Sequence, residues 1–283
     1  MKGIYVMLTF NGEEMPIRAI ESIEKNDGSN VILIDNGSKE SYYRWLDDEI
    51  KRKGWKDEFV YLVRLPRNRG WAEGNNIGMK IAKNLGYDIA LLVNDDIEVR
   101  KPTLKPVIEY MEKYEDVGVV GVKVVHGDRE LLTYKPYTPL FIAMESLFGT
   151  KIAWRVLSLL GEEIVLDKYT TKPTEVDWVI GAAMAVRLVD IYFPAMSYPG
   201  HEEHLLSIIM KKLKYKTIYL PVGEIYHFGH KTYKRRLQKH FPVARYLFKA
   251  GYPLSTVLLT MFAVKLYEIG LSPKAVYNAF RRR

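Results

Sequence analysis

Over its first 125 residues the chain switches repeatedly between short, largely apolar runs and stretches with helical spacing. Apolar runs at 4–10, 31–34, 59–65 and 89–93 alternate with helical patterns at 12–25, 41–53, 71–85 and 102–114, and a β-rich run follows at 117–125. A short apolar run without polar alternation is the pattern of a strand covered on both faces. Strands that alternate with helices pair in parallel, because each helix returns the chain to the edge it left. Right-handed crossovers then lay helices on both faces. The expected class is therefore α/β, a doubly wound, mostly parallel sheet with flanking helices. With 283 residues, 48% of them hydrophobic, the chain can bury such a core without staples.

In sheets of this kind ligands sit beyond the carboxyl ends of the strands. Those ends carry Thr9-Phe10-Asn11, Asp35-Asn36-Gly37-Ser38, the stretch 66–70 and Asn94-Asp95-Asp96. Polar residues and glycines collect there and not at the strand starts. Carboxylates at a strand end suit a hard cation such as Mg²⁺ or Mn²⁺, although an Asx turn uses the same residues. Asp35 offers an acceptor to a base N–H or ribose hydroxyls, or simply shapes a turn. The segment 68–76 is rich in Gly and Asn and opens a helix, whose N-terminal N–H groups suit phosphate. It is neither G-x-G-x-x-G nor a P-loop.

Later in the chain, His201-Glu202-Glu203-His204 fails the H-E-x-x-H spacing, because position 205 is Leu. Two carboxylates opening a helix behind Pro199-Gly200 read as a general base candidate, or as acid charge that favours a helix N-terminus. His227 closes a short strand pattern. Trp178 and Gly181-Ala182-Ala183 read as a sugar-sized wall or as tight packing.

Cysteine is absent, which excludes disulfides, thiol catalysis and zinc ribbons. Charge divides the chain unevenly. Between Lys231 and Arg283 stand 12 basic residues and one acid, a net +11, while the preceding 230 residues carry −3. The stretch 252–269 is dense in Leu, Val, Met and Phe but interrupted by Lys265 and Glu268. A basic amphipathic segment with aromatics fits an anionic membrane surface; packing on the domain or a homodimer interface is the bland alternative. Its apolar content argues against nucleic acid. No signal-peptide pattern opens the sequence, so a cytoplasmic site at the inner membrane face is expected.

In order along the chain these segments resemble glycosyltransferase family 2 of the GT-A fold, in its rhamnosyltransferase-like branch. The resemblance spans about residues 1–232. It rests on Thr9-Phe10-Asn11, on 34–38, on 68–78, on 91–96, on 176–183, on Glu202-Glu203 and on His227. It implies a nucleotide-sugar-binding half at 1–125, an acceptor-side and catalytic half at 126–232, and a basic helical tail at 233–283. Thr9, Asn11, Asp35, Asn68, Gly70, Asn76 and Asp95 would line the nucleotide site. Asp96 and His227 would hold a divalent cation, with Asn94 replacing the first carboxylate of the family's D-x-D. Glu203, or its neighbour Glu202, would be the base, and Trp178 and Gly181 would face sugar or acceptor. The implied reaction is inverting transfer of a single sugar to a glycan or lipid-linked acceptor, since the Q-x-x-R-W signature of processive synthases is absent. Residues 126–173 would form a lid. The competing readings are a sugar-phosphate nucleotidyltransferase, whose Gly-rich N-terminal loop is missing, and a scaffold with a dead site.

Overall fold

The central strands are β1 (Gly3–Thr9), β2 (Val31–Asp35), β3 (Val60–Arg64) and β4 (Ile89–Asn94). They are joined by the helices α1 (Met15–Asn26), α2 (Glu40–Arg52) and α3 (Gly70–Asn84). After β4 come β5 (Ile97–Lys101), α4 (Leu104–Lys113), β6 (Val117–Gly121), β7 (Val124–His126) and β8 (Arg129–Glu130). The later elements are β9 (Thr174–Glu175), β10 (Ala183–Arg187), α5 (Glu202–Lys212), β11 (Lys216–Tyr219) and β12 (Glu224–His227). This computed structural model describes residues 1–127, 129–130, 171–193 and 202–229, all within one of the two units into which the chain divides. The aromatic-rich stretch 140–160 and the basic segment 233–283 lie outside the described residues.

The main sheet has the order β3-β2-β1-β4-β10-β6-β11-β9. β3, β2, β1 and β4 are mutually parallel, as expected. Successive side chains point to opposite faces, and two cores result. Tyr5, Met7, Leu33 and Leu91 pack with Ile20 of α1, Leu46 of α2 and Val107 of α4. Ile4, Val6, Ile32 and Leu92 pack on the other face with Met79 of α3 and Met210 of α5. Each fully buried side chain of this size contributes about 1.5–3 kcal/mol, which explains why no polar break is tolerated within these strands.

Two expectations are corrected, and one further break is found. Helix α1 begins at Met15, not at Gly12, because Asn11 and Glu13 take φ of 51° and 53°, outside helical space. The run 117–125 is not one strand. At Lys123 its backbone N–H and C=O bond Val222 and Ile225, which carries β7 into a second sheet of order β5-β12-β7-β8. The stretch 176–186 is likewise broken by a turn at Gly181, and β10 beyond it runs antiparallel between β4 and β6. Strand β5 follows Asp96 at once and had no apolar run to announce it.

Helix α3 lies unusually close to β1. A Cβ on Gly74 would stand 2.5 Å from Leu8 Cδ1, and one on Gly78 would stand 2.3 Å from Val6 Cγ1. Val6 is β-branched and fully buried, so it cannot turn away. We expect Gly78→Val to lower stability by at least about 2 kcal/mol through overpacking, read as a fall in the urea midpoint with an unchanged slope.

Candidate active site

Parallel registry brings the strand ends level. Thr9 lies opposite Asp35, and Leu8 opposite Asn94. Thr9 Oγ1 donates to Asp95 Oδ2 at 2.6 Å and lies 3.4 Å from the Tyr42 hydroxyl. Gly12 closes over this pair; a Cβ there would meet Asp95 Oδ2 at 2.3 Å. Burial pushes the Tyr42 phenol up to about 12, so it stays protonated in any ordinary buffer. Asn11 ties the β1 end to the β2 turn: its N–H donates to Ser38 Oγ at 2.9 Å, and its Oδ1 accepts from the Lys39 N–H at 3.1 Å.

Asp35 is completely buried. Its Oδ1 accepts the Ser38 N–H at 3.2 Å, while Oδ2 accepts no hydrogen bond and has Arg64 Nε 3.6 Å away. A buried carboxylate oxygen without a donor is costly. Arg64 is held aside from it by Glu40 and by the Tyr43 ring, 4.3 Å from the guanidinium.

The Gly/Asn loop is built by its own side chains. Asn68 Oδ1 accepts the Gly70 N–H at 2.8 Å, and Asn36 Oδ1 accepts the Arg69 N–H at 2.9 Å. Gly37 has φ 77° and passes so near Arg67 that a Cβ would stand 2.4 Å from its carbonyl carbon. Asn76, in the second turn of α3, exchanges two 2.8 Å hydrogen bonds with the Phe193 backbone. That places its amide in a structural clamp.

Beside the β4 end a polar chain runs across the site. Trp71 Nε1 is 3.3 Å from Asn94 Oδ1, Asn94 Nδ2 is 3.3 Å from His227 Nε2, and His227 Nε2 is 3.1 Å from Asp96 Oδ1. His227 reaches Asp96 because β12 pairs antiparallel with β5, setting His227 against Ile97. The His126 ring donates from Nδ1 to the His227 carbonyl at 2.7 Å and fixes the strand end. The other edge of Trp71 approaches Gly181. The space a Gly181 side chain would fill lies 3.4 Å from Trp71 Cζ2 and 3.7 Å from the Glu203 carboxyl carbon.

Glu202 is buried, and Glu203 is half-buried at the start of α5. Burial, with the neighbouring Glu202 charge, pushes the Glu203 carboxyl up to about 7. Trp178 is half-buried on the segment that leads to Gly181. The structure therefore gathers Thr9, Asp35, Asp95, Asp96, His227, Gly181 and Glu203 along one end of the sheet. Trp71, Tyr42 and Arg64 were not singled out from sequence. Their only signal is position, on helices or strands that meet the same sheet end.

A family model for glycosyl transferase family 2 matches residues 5–163. The chain belongs to that family. A dTDP-rhamnosyl transferase RfbF of Shigella flexneri is 23% identical over 188 residues, 59% of this chain and 60% of the relative. Among solved structures, GalNAc-T7 with UDP, GalNAc and Mn²⁺ superposes with a TM-score of 0.60 at 16% identity, covering 81% of this chain and 44% of that one. S. aureus TarS 1–349 in complex with UDP-GlcNAc gives 0.57 at 16% identity, over 88% and 65% of the two chains. The chain thus spans less than two thirds of each of these proteins. At such identities the structural likeness is one of fold, the GT-A arrangement that the sequence resemblance implies.

The raised Glu203 carboxyl predicts a stability cost with a defined pH window. Below pH of about 4.5 the acid is protonated folded or unfolded and costs nothing. Between about 4.5 and 7 the unfolded chain ionises first, so stability falls as pH rises, and the loss is complete above 7. Glu203→Gln removes this cost, which is about 1–3 kcal/mol for a half-buried group. Its melting temperature should exceed that of the wild type at pH 8 and match it near pH 4.5; equal melting at both pH values would contradict the assignment.

Proposed function

We propose that this member of family 2 is an inverting glycosyltransferase that moves a single sugar from a nucleotide diphosphate donor to an acceptor hydroxyl. The observation that carries the reading is the polar chain from Asp96 and His227 through Asn94 and Trp71 to the wall at Gly181 and Glu203. It sets a cation-suited pair and a basic carboxylate on two sides of one strand end. The bound ligands of the GT-A neighbours and the dTDP-sugar activity named for the curated relative support a nucleotide-sugar donor.

The roles follow from chemistry. Asp35 Oδ2, buried without a donor, would accept from the base N–H or a ribose hydroxyl and so recover the cost of its burial. Thr9, which lies 3.4 Å from the Tyr42 hydroxyl, holds Asp95 at the nucleotide side, and the loop at Asn68 and Gly70 shapes the approach to the diphosphate. Glu203, near pH 7 in affinity for a proton, would take the acceptor proton as oxygen attacks the anomeric carbon from the face opposite the leaving group. One displacement of this kind inverts the centre.

Asp96 Oδ1 and His227 Nε2 converge as an oxygen and a nitrogen donor, a combination that suits Mn²⁺ or Mg²⁺. Among the described residues no group of three such side chains assembles, so the diphosphate oxygens would have to complete the shell. When bound, the cation would neutralise the charge of the leaving nucleoside diphosphate. Among the described residues no helix is long and apolar enough to cross a membrane. We assign the acceptor to the glycan or lipid-linked class, approached at the inner membrane face through the basic segment 233–283. That assignment rests on the charge and apolar content of the segment alone.

Asp96→Ala should abolish transfer. Glu203→Gln should lower kcat by about 10²–10⁴-fold while leaving nucleotide binding intact. The rate should rise with pH and level off above about 7 as Glu203 ionises. Full activity in either variant would remove the assigned role. Release of pyrophosphate in place of a nucleoside diphosphate would make the chain a nucleotidyltransferase. A thermal-shift panel of UDP, GDP and dTDP with Mg²⁺, Mn²⁺ or EDTA should identify the donor class by a cation-dependent rise in melting temperature.

A further inference from the structure

Strand β2 ends at Asp35 and β3 at Arg64, and the parallel register sets these two residues opposite each other. The Leu65 N–H donates to the Asp35 carbonyl at 2.8 Å, so the pairing runs on past both side chains. Beyond it the two loops are pinned together. Asn36 Nδ2 donates to Asn68 Oδ1 at 3.2 Å, and Gly37 lies against the Arg67 backbone. Asp35 and Arg64 therefore sit side by side in a fixed frame.

An ion pair that only held this frame together would close to about 2.7–2.9 Å. Here Arg64 Nε stands 3.6 Å from Asp35 Oδ2, which is beyond a hydrogen bond. Oδ2 is buried and accepts nothing, and among the described residues Nε donates to nothing. Glu40 takes Nη1, and the Tyr43 ring lies 4.3 Å from the guanidinium, so Arg64 is kept off the carboxylate. Asp35 Oδ1 is already used by the Ser38 N–H. What remains is one acceptor and one donor, adjacent and unspent. Arg64 keeps 32% of its side chain exposed while Asp35 keeps none, so Arg64 is the member that can shift to admit a ligand.

We propose that Asp35 and Arg64 together read the donor base, and that this base is uracil or thymine. The imide N–H donates to Asp35 Oδ2, and a flanking carbonyl accepts from the Arg64 guanidinium. The pair rests on the nucleotide-sugar donor proposed above and adds to it the base and a specificity residue, Arg64. An imide N–H lies between two carbonyls, so a carbonyl meets Arg64 whichever way the ring is turned. In guanine one neighbour of the N–H is an amino group, which would set donor against donor or be left unbonded. Cytosine offers an amino group beside a bare ring nitrogen, and fits in one orientation only. A ribose hydroxyl is a weaker acceptor for a guanidinium than a carbonyl is.

The test is calorimetric titration of the full chain, with Mg²⁺ throughout, by UDP, dTDP, GDP, CDP, N3-methyl-UDP, 2′-deoxy-UDP and pyrophosphate. UDP or dTDP should bind about 10–100-fold tighter than GDP, CDP and N3-methyl-UDP. Arg64→Met should weaken UDP by a similar factor and leave pyrophosphate unchanged. Methylation at N3 should cost little further in that variant, because the two losses fall on one contact. Removing the 2′-hydroxyl should cost the same with Arg64 as without it. Glu40→Gln frees the guanidinium to close on Asp35, and should also weaken UDP. Unchanged UDP affinity in Arg64→Met or in Glu40→Gln would overturn the pair and leave the nucleotide donor standing. So would an equal loss of pyrophosphate, which would make Arg64 a phosphate contact, or a 2′-hydroxyl effect that vanishes with Arg64, which would make the pair a ribose site. Tightest binding of GDP or CDP would overturn the imide. A wild type that binds none of the nucleotides would overturn the donor proposed above, and the pair with it.

Discussion

The parallel pairing of β1 with β2 and β4 is the constraint on which the site depends. Because Thr9 is level with Asp35, and Leu8 with Asn94, the polar ends of three apolar strands meet at one edge. The pairing is held by burial on both faces, so a slip of one residue would exchange the two cores and scatter the polar ends. Gly74 and Gly78 let α3 rest directly on β1, and the same approach brings Trp71 to the β4 end.

Around that edge the protein keeps groups that a stable core would avoid. Asp35 is fully buried with an oxygen that accepts nothing, and Glu203 is forced toward neutrality by its surroundings. Such arrangements lower stability and are tolerated where a ligand or a reaction uses them. Other polar groups nearby are satisfied within the protein, as in Thr9 with Asp95, Asn68 with Gly70 and Asn76 with Phe193. This contrast separates groups that shape the site from groups left open to bind.

Strand and helix alternation was legible along the first 125 residues because period and polarity change together there. Strand β5 was not, because Glu98, Arg100 and Lys101 interrupt its apolar residues on an edge of the small sheet. The break at Lys123 and the turn at Gly181 were hidden for a related reason. Both lie within apolar runs, and only hydrogen bonds to distant segments divide them. Among site residues, Asp35, Asp96, Glu203 and His227 stood out by type and place. Trp71 did not, since an aromatic in the first turn of a helix looks the same whether it packs in a core or lines a site.

By itself the sequence determined the class of fold, the end of the sheet where chemistry gathers and the residue types available there. Each of these follows from local rules of period, turn composition and charge. Only the tertiary structure decided which of those residues meet. His227 reaches Asp96 from more than a hundred residues away through the β5–β12 pairing, and Glu203 approaches Trp71 across Gly181. The orientation of the Asn94 amide depends on a donor-only indole contributed by another element. Such meetings are set by long-range pairing and packing, which no local pattern encodes.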